Sequence, residues 1–177
     1  HLDTIGHFSK HPVVAINRFH LDSEEELQVV QDHCDAQGVD CVLSEHFAKG
    51  GEGAVELAKR VVSVAEDASK QSPLTPLYGP DMTVREKIEA VARKAYGAKG
   101  VVLAPPARRA LKRIRDLGYA HLPICVAKTQ NSLSDNPRLK GRPENFEITV
   151  RNVVLNAGSG FLVVLTGDIM RMPGLPV

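Results

Sequence analysis

The chain predicts an α/β architecture in two parts: the closing stretch of a parallel-sheet domain over residues 1–72, and a smaller α+β domain with a β-hairpin over residues 73–177. Three observations carry this. Residues 12–17 (PVVAIN) and 39–43 (VDCVL) are short strand-like runs, each leading through a polar tip into a helix-periodic segment, which is the order of a βαβα unit. Pro73, Pro76 and Pro80 then interrupt the pattern and mark a linker or boundary. Residues 146–156 alternate, Gly158-Ser159-Gly160 makes a tight turn, and the apolar run 161–166 returns as the second strand of a hairpin.

Taken in order, residues 1–10 have weak helical spacing and no N-cap, as in the end of a helix whose beginning is missing. His7 and His11 stand at i, i+4, but no Glu follows His7 as a zincin helix requires, so no metal site is assigned. Residues 12–17 are continuously apolar up to Asn17, as in a central strand of a parallel sheet. Asp22 and Ser23 cap the next helix, and Glu24, Glu25 and Glu26 favour the positive end of its dipole. Leu27, Val30 and Cys34 are its apolar stripe, and Gly38 ends it. After the second strand comes a glycine-rich turn, 49–53, and a helix whose buried face is Ala54, Leu57, Val61, Val62 and Ala65.

Beyond the prolines, Thr83 caps a helix running to about Tyr96, with Glu86 at capping-box spacing and Ile88, Val91, Ala92 and Ala95 facing inward. Residues 101–104 are a short strand. Pro105-Pro106 opens a basic helix carrying Arg108, Arg109, Lys112, Arg113 and Arg115, a pattern that is usually a solvated face. A strand over 122–127 ends in Lys128-Thr129-Gln130 and a long polar loop to Pro137. Residues 170–176 contain Pro173, Gly174 and Pro176 and are irregular.

The composition is ordinary globular, 43% hydrophobic and 24% charged, and only 5% aromatic with no Trp, so each Phe at a strand tip carries more information than usual. Residues 1–67 hold five basic and thirteen acidic side chains and residues 68–177 hold seventeen and eight, so the halves carry −8 and +9. A basic half alone does not imply nucleic acid, and no nucleic-acid motif is present. Cys34, Cys41 and Cys125 have neither disulfide nor zinc spacing; Cys41 and Cys125 lie in apolar runs and read as buried thiols of a reducing, cytoplasmic compartment. No run reaches the length of a membrane-spanning helix and no signal peptide is seen.

The chemistry concentrates at the tips of the first two strands. In open α/β sheets, ligands sit at the carboxyl ends of strands. There, Phe19 follows the first strand and Phe47 the second. Two rings on one rim can hold a flat heterocycle between them, each stack adding about 0.5–1.5 kcal/mol beyond area burial; the plainer reading is that both rings cap the core. The glycines at 50, 51 and 53 let a ligand approach the backbone closely. No G-x-x-x-x-G-K-[ST] occurs, so the chain has no phosphate-cradling loop of that type. Asn17-Arg18-Phe19-His20 stands where GTPases carry Asn-Lys-x-Asp, but His20 replaces the base-reading Asp.

Residues 12–19 (PVVAINRF), 43–55 (LSEHFAKGGEGAV), 122–137 (LPICVAKTQNSLSDNP), 141–143 (GRP) and 158–176 (GSGFLVVLTGDIMRMPGLP) together resemble the C-terminal part of formate–tetrahydrofolate ligase over essentially the whole chain. The resemblance implies a fold in which residues 1–72 end a P-loop NTPase-like domain. It implies ATP-driven joining of formate to N10 of tetrahydrofolate through formyl phosphate, with Mg²⁺ and a monovalent cation. Family enzymes are about three times longer, carry their P-loop in an N-terminal region absent here, and commonly form homo-oligomers. By position, Phe19 and Phe47 resemble the pair that sandwiches the folate ring, Leu43 and Ser44 lie beside it, and Lys49, Gly50 and Gly51 form the turn beneath it. Many members have Trp at position 47. Thr129, Gln130 and Ser132 resemble a loop near the adenine end of the nucleotide.

On this reading the chain contributes the folate rim of a ligase, has no catalytic residue of its own, and is inactive without the N-terminal part. The alternative is a non-catalytic binding or interaction module that keeps the family fold; tetrahydrofolate binding separates the two. The tail of a GTPase-like domain is a weaker third, opposed by His20.

Overall fold

The computed structural model describes residues 1–8, 11–67 and 73–167. The chain falls into two compact units, His1–Thr75 and Pro76–Val177. The irregular segment 170–176 expected from sequence and residues 71–72 of the proline-rich break lie outside the described residues.

In the first unit a short helix, α1 (Leu2–Ile5), precedes β1 (Val13–Asn17), α2 (Glu24–Ala36), β2 (Asp40–Ser44), α3 (His46–Lys49), a 3₁₀ turn (Gly50–Ala54) and α4 (Val55–Glu66). β1 and β2 pair in parallel, from Val13 opposite Asp40 to Asn17 opposite Ser44. The Ser23 hydroxyl accepts from Glu26 N–H while the Glu26 carboxylate accepts from Ser23 N–H, which closes a capping box at the start of α2.

The first unit departs from two of these expectations. The glycine-rich turn predicted over 49–53 is helical, because α3 and the 3₁₀ turn follow one another directly. The predicted burial is not reached: β1 is at most half-buried, α4 has no buried residue, and Val30, Val61 and Val62 are exposed. The reason is geometric. Among the described residues this sheet has two strands, too few for its helices to enclose a core.

The second unit holds the core. It contains α5 (Val84–Lys94), β3 (Gly100–Leu103), α6 (Pro105–Asp116), β4 (Ile124–Ala127), β5 (Glu147–Asn156) and β6 (Phe161–Thr166). Its mixed sheet has the order β3-β5-β6-β4; β5 and β6 form the antiparallel hairpin, and β3 and β4 each add in parallel on the outside. Val84 and Ile88 of α5, Ala107 and Ile114 of α6, and Val150, Val153, Leu162 and Val164 of the sheet form one cluster; Ala92, Ala98, Phe146 and Ile148 form a second. Thr83 and Glu86 make the expected capping box, and Pro105 starts α6, where its missing N–H costs nothing. Cys125 is exposed, not buried as its apolar run suggests, because β4 is an edge strand whose side chains alternate faces.

Inside this unit Lys87 is 0% exposed. Its ammonium donates to the carbonyls of Ala120, His121 and Leu122 at 3.2, 2.9 and 3.1 Å, and burial lowers its pKa. It thereby ties α5 to the segment that enters β4.

Candidate functional site

The first candidate site is at the carboxyl ends of β1 and β2. Arg18 N–H donates to the Ser44 carbonyl at 3.0 Å, so the two strands stay paired one residue past Asn17. Phe19 N–H then donates to Asp22 Oδ2 at 2.7 Å, and Asp22 N–H returns a bond to the Phe19 carbonyl at 3.1 Å, which turns the chain sharply and fixes Phe19 at the tip. Arg18 also pairs with Glu24, holding the tip to the start of α2.

Phe47 reaches the same place from α3. The ring centroids of Phe19 and Phe47 are 5.5 Å apart and the planes are tilted by 50°. Both rings are exposed, Phe19 by 43% and Phe47 by 71%, so neither is the core cap of the plainer sequence reading. A flat ring stacked between two others needs them about 7 Å apart, two contact distances of about 3.5 Å. The observed pair is therefore a self-contact, which a ligand would open by about 1.5 Å.

The backbone behind Phe47 is tightly held. Glu45 N–H donates to the Gly53 carbonyl at 2.9 Å. A Cβ on Gly53 would lie 2.5 Å from the Glu45 carbonyl carbon and 2.9 Å from His46 N, so only glycine lets α3 and the 3₁₀ turn lie against each other. Gly50, at φ +59°, takes a backbone conformation that side chains rarely adopt. Gly51 is exposed, and a side chain there would meet open space. Lys49 is engaged by Glu45, Nζ to Oε2 at 2.5 Å; that bond, with Arg18 close by, holds the Glu45 carboxyl below its usual range.

Leu43 is 37% exposed, whereas Ser44 is 1% exposed. The Ser44 hydroxyl is directed at His46, with Oγ and Nδ1 3.0 Å apart. The one sequence signal for His46 is the spacing Ser-x-His at the end of a strand. The structure thus brings the Phe19 and Phe47 rings together and Ser44 onto His46, while Leu43, Lys49, Gly50 and Gly51 lie on the same β2–α3–3₁₀ segment that carries Phe47.

The second candidate, the loop after β4, is in the other unit. Thr129 and Ser132 are buried and Gln130 is exposed. Thr129 Oγ1 accepts from Asn131 N–H at 3.2 Å, and Ser132 Oγ accepts from Ser134 N–H at 3.0 Å, so both hydroxyls serve the loop's own fold. Lys128 turns back to donate to the carbonyls of Thr129 and Ser132, with its ammonium 5.1 Å from the Tyr96 ring; burial lowers its pKa. Gln130 is the member of the predicted trio left available to a ligand. The described residues contain no group of three His, Cys, Asp or Glu suited to a metal ion.

Elsewhere, a concavity of about 480 Å³ follows the outer edge of β2, where Arg60 pairs with Asp40. Burial and the neighbouring Cys34 push the Cys41 thiol there up to about 11. No helix among the described residues is long and apolar enough to cross a membrane.

The family model for formate–tetrahydrofolate ligase matches residues 1–177, the whole chain. The chain belongs to that family, whose members are ATP-dependent ligases that use Mg²⁺ and act on formate and tetrahydrofolate.

Proposed function

From that membership we propose that the chain is the C-terminal, folate-holding part of an ATP-dependent formate–tetrahydrofolate ligase. Residues 1–72 then complete a larger nucleotide- and folate-binding domain, and residues 73–177 form the C-terminal domain. The observation that supports this reading is the exposed Phe19–Phe47 pair at the carboxyl ends of two parallel strands. Exposed aromatic rings in contact are costly to keep in water, and a flat ligand entering between them covers both faces at once.

In this reading the two rings hold the pterin by stacking and exclude water from its faces. Asp22 and Gly53 act on the rings' backbones, fixing the direction from which each approaches. Leu43 supplies an apolar edge, and the Gly50-Gly51 backbone allows close approach below the ring. Holding the pterin presents N10 to the formyl carbon, so the rim contributes position and not a reacting group. ATP, with Mg²⁺, supplies the phosphoryl group that activates formate, and the chain carries no P-loop motif to bind it. The N-terminal part of the enzyme would supply that. In the same reading Gln130, exposed on the loop whose carbonyls Lys128 holds, would meet the nucleotide's adenine end.

The test is calorimetric titration of tetrahydrofolate into the chain and into Phe19→Ala and Phe47→Ala. Binding by the parent, weakened several-fold in each variant, is expected. If the chain alone binds nothing, the titration is repeated with the N-terminal part present. No binding in either setting, or binding that both variants keep unchanged, overturns the reading; the first result would favour a non-catalytic module.

A further inference from the structure

Resting on the folate reading above, we infer that His46 is a specificity-determining residue, presenting a fixed Nε2–H donor to an acceptor atom on the edge of the stacked heterocycle. Ser44 is 1% exposed, and its hydroxyl has one partner among the described residues, the Nδ1 of His46 at 3.0 Å. A buried hydroxyl that donates nothing leaves a proton unpaired, at a cost of about 1–3 kcal/mol. The Ser44 O–H therefore donates to Nδ1, and a neutral ring whose Nδ1 accepts carries its own proton on Nε2.

His46 is exposed and directly precedes Phe47, while its Nδ1 is anchored to the last residue of β2. Ser44 is opposite Asn17, two residues before Phe19, so the anchor belongs to the rim that carries both aromatic rings. Nε2 has no partner among the described residues. Stacking alone holds any flat ring; a donor at the edge selects rings with a carbonyl oxygen or an unprotonated ring nitrogen there, because a ring lacking that acceptor leaves the N–H unmatched. Ser44, which the family resemblance places beside the ring, acts in this scheme through His46 and is a positioning residue.

Two measurements test this. In the first, ¹⁵N-labelled chain is studied by long-range ¹H–¹⁵N correlation at a pH where the imidazole is neutral. The Nε2–H tautomer is expected for His46 in the parent, and a mixture in Ser44→Ala. A dominant Nδ1–H form in the parent overturns the inference. In the second, tetrahydrofolate is titrated into His46→Gln and His46→Asn. The glutamine amide places an N–H where Nε2 stands and should bind within about twofold of the parent. The asparagine amide reproduces only the Nδ1 position and should bind about five- to tenfold more weakly. Equal binding by His46→Asn and the parent overturns the inference while leaving the aromatic clamp standing. A parent that binds no tetrahydrofolate, alone or with the N-terminal part, removes both.

Discussion

Lys87→Met tests the most unusual feature of the second unit. Methionine keeps the length of the buried stem and removes the ammonium, leaving the carbonyls of Ala120, His121 and Leu122 without their donor. An unsatisfied buried carbonyl costs about 1–3 kcal/mol; Ala120 and Leu122 are half-buried and His121 is exposed, so water replaces part of the lost donor and the three together cost about 3–5 kcal/mol. Removing a fully buried cation returns part of its desolvation penalty. The net expected loss is about 2–4 kcal/mol, which for a unit of this size lowers the melting temperature by about 10–20 °C. The assay is denaturant unfolding followed by tyrosine fluorescence. Tyr78, Tyr96 and Tyr119 all belong to the second unit and the chain has no Trp, so the signal reports that unit alone. Lys94→Met is the control, because Lys94 is exposed and makes a single bond to the Leu77 carbonyl; it should cost less than about 1 kcal/mol. If Lys87→Met also costs less than about 1 kcal/mol, the three carbonyls are not held by the ammonium and the reasoning fails.

Other perturbations follow from the same contacts. Thr83→Ala opens the capping box of α5 and should cost about 1 kcal/mol in the same assay. Bonds from Thr83 hold the Glu86 carboxyl below the ordinary value of 4.5. Its contribution is therefore complete above that pH and is lost as pH falls through the lowered folded value; Glu86→Gln should flatten this acid limb of the stability curve, and an unchanged limb would contradict the assignment. Gly53→Ala drives a methyl group into the Glu45 backbone and should both destabilise the first unit and weaken tetrahydrofolate binding more than Gly51→Ala, whose site is open. Formyl transfer, assayed as ATP-dependent 10-formyltetrahydrofolate formation, should be absent with the chain alone and appear when the N-terminal part is added.

Much of the second unit was legible because its signals are local. Thr83 with Glu86, Pro105 at a helix start, and the alternation leading into Gly160 act within a few residues, and the second hairpin strand, Phe161–Thr166, ends where its apolar run ends. Lys87 was not legible, because its partners stand 33 to 35 residues away and a lysine in a helix normally faces water. The same limit explains the first unit. Val61 and Val62 have the spacing of a buried face, but burial depends on which strands lie opposite, and two strands do not cover them. At the candidate site, the strand tips and their rings were readable from run endings and aromatic scarcity. That the rings touch, that the turn is helical, and that Ser44 engages His46 depend on how the chain closes back at Gly53.

The central claim is that Phe19 and Phe47 part to hold a pterin. Nuclear Overhauser effects on the chain, selectively labelled at phenylalanine and saturated with tetrahydrofolate, test it most directly. The free chain should show cross-peaks between the two rings, as their 5.5 Å separation requires. On binding, these should weaken and be replaced by cross-peaks from both rings to pterin protons. Ring-to-ring cross-peaks that persist at saturation, with none from either ring to the ligand, would contradict the account.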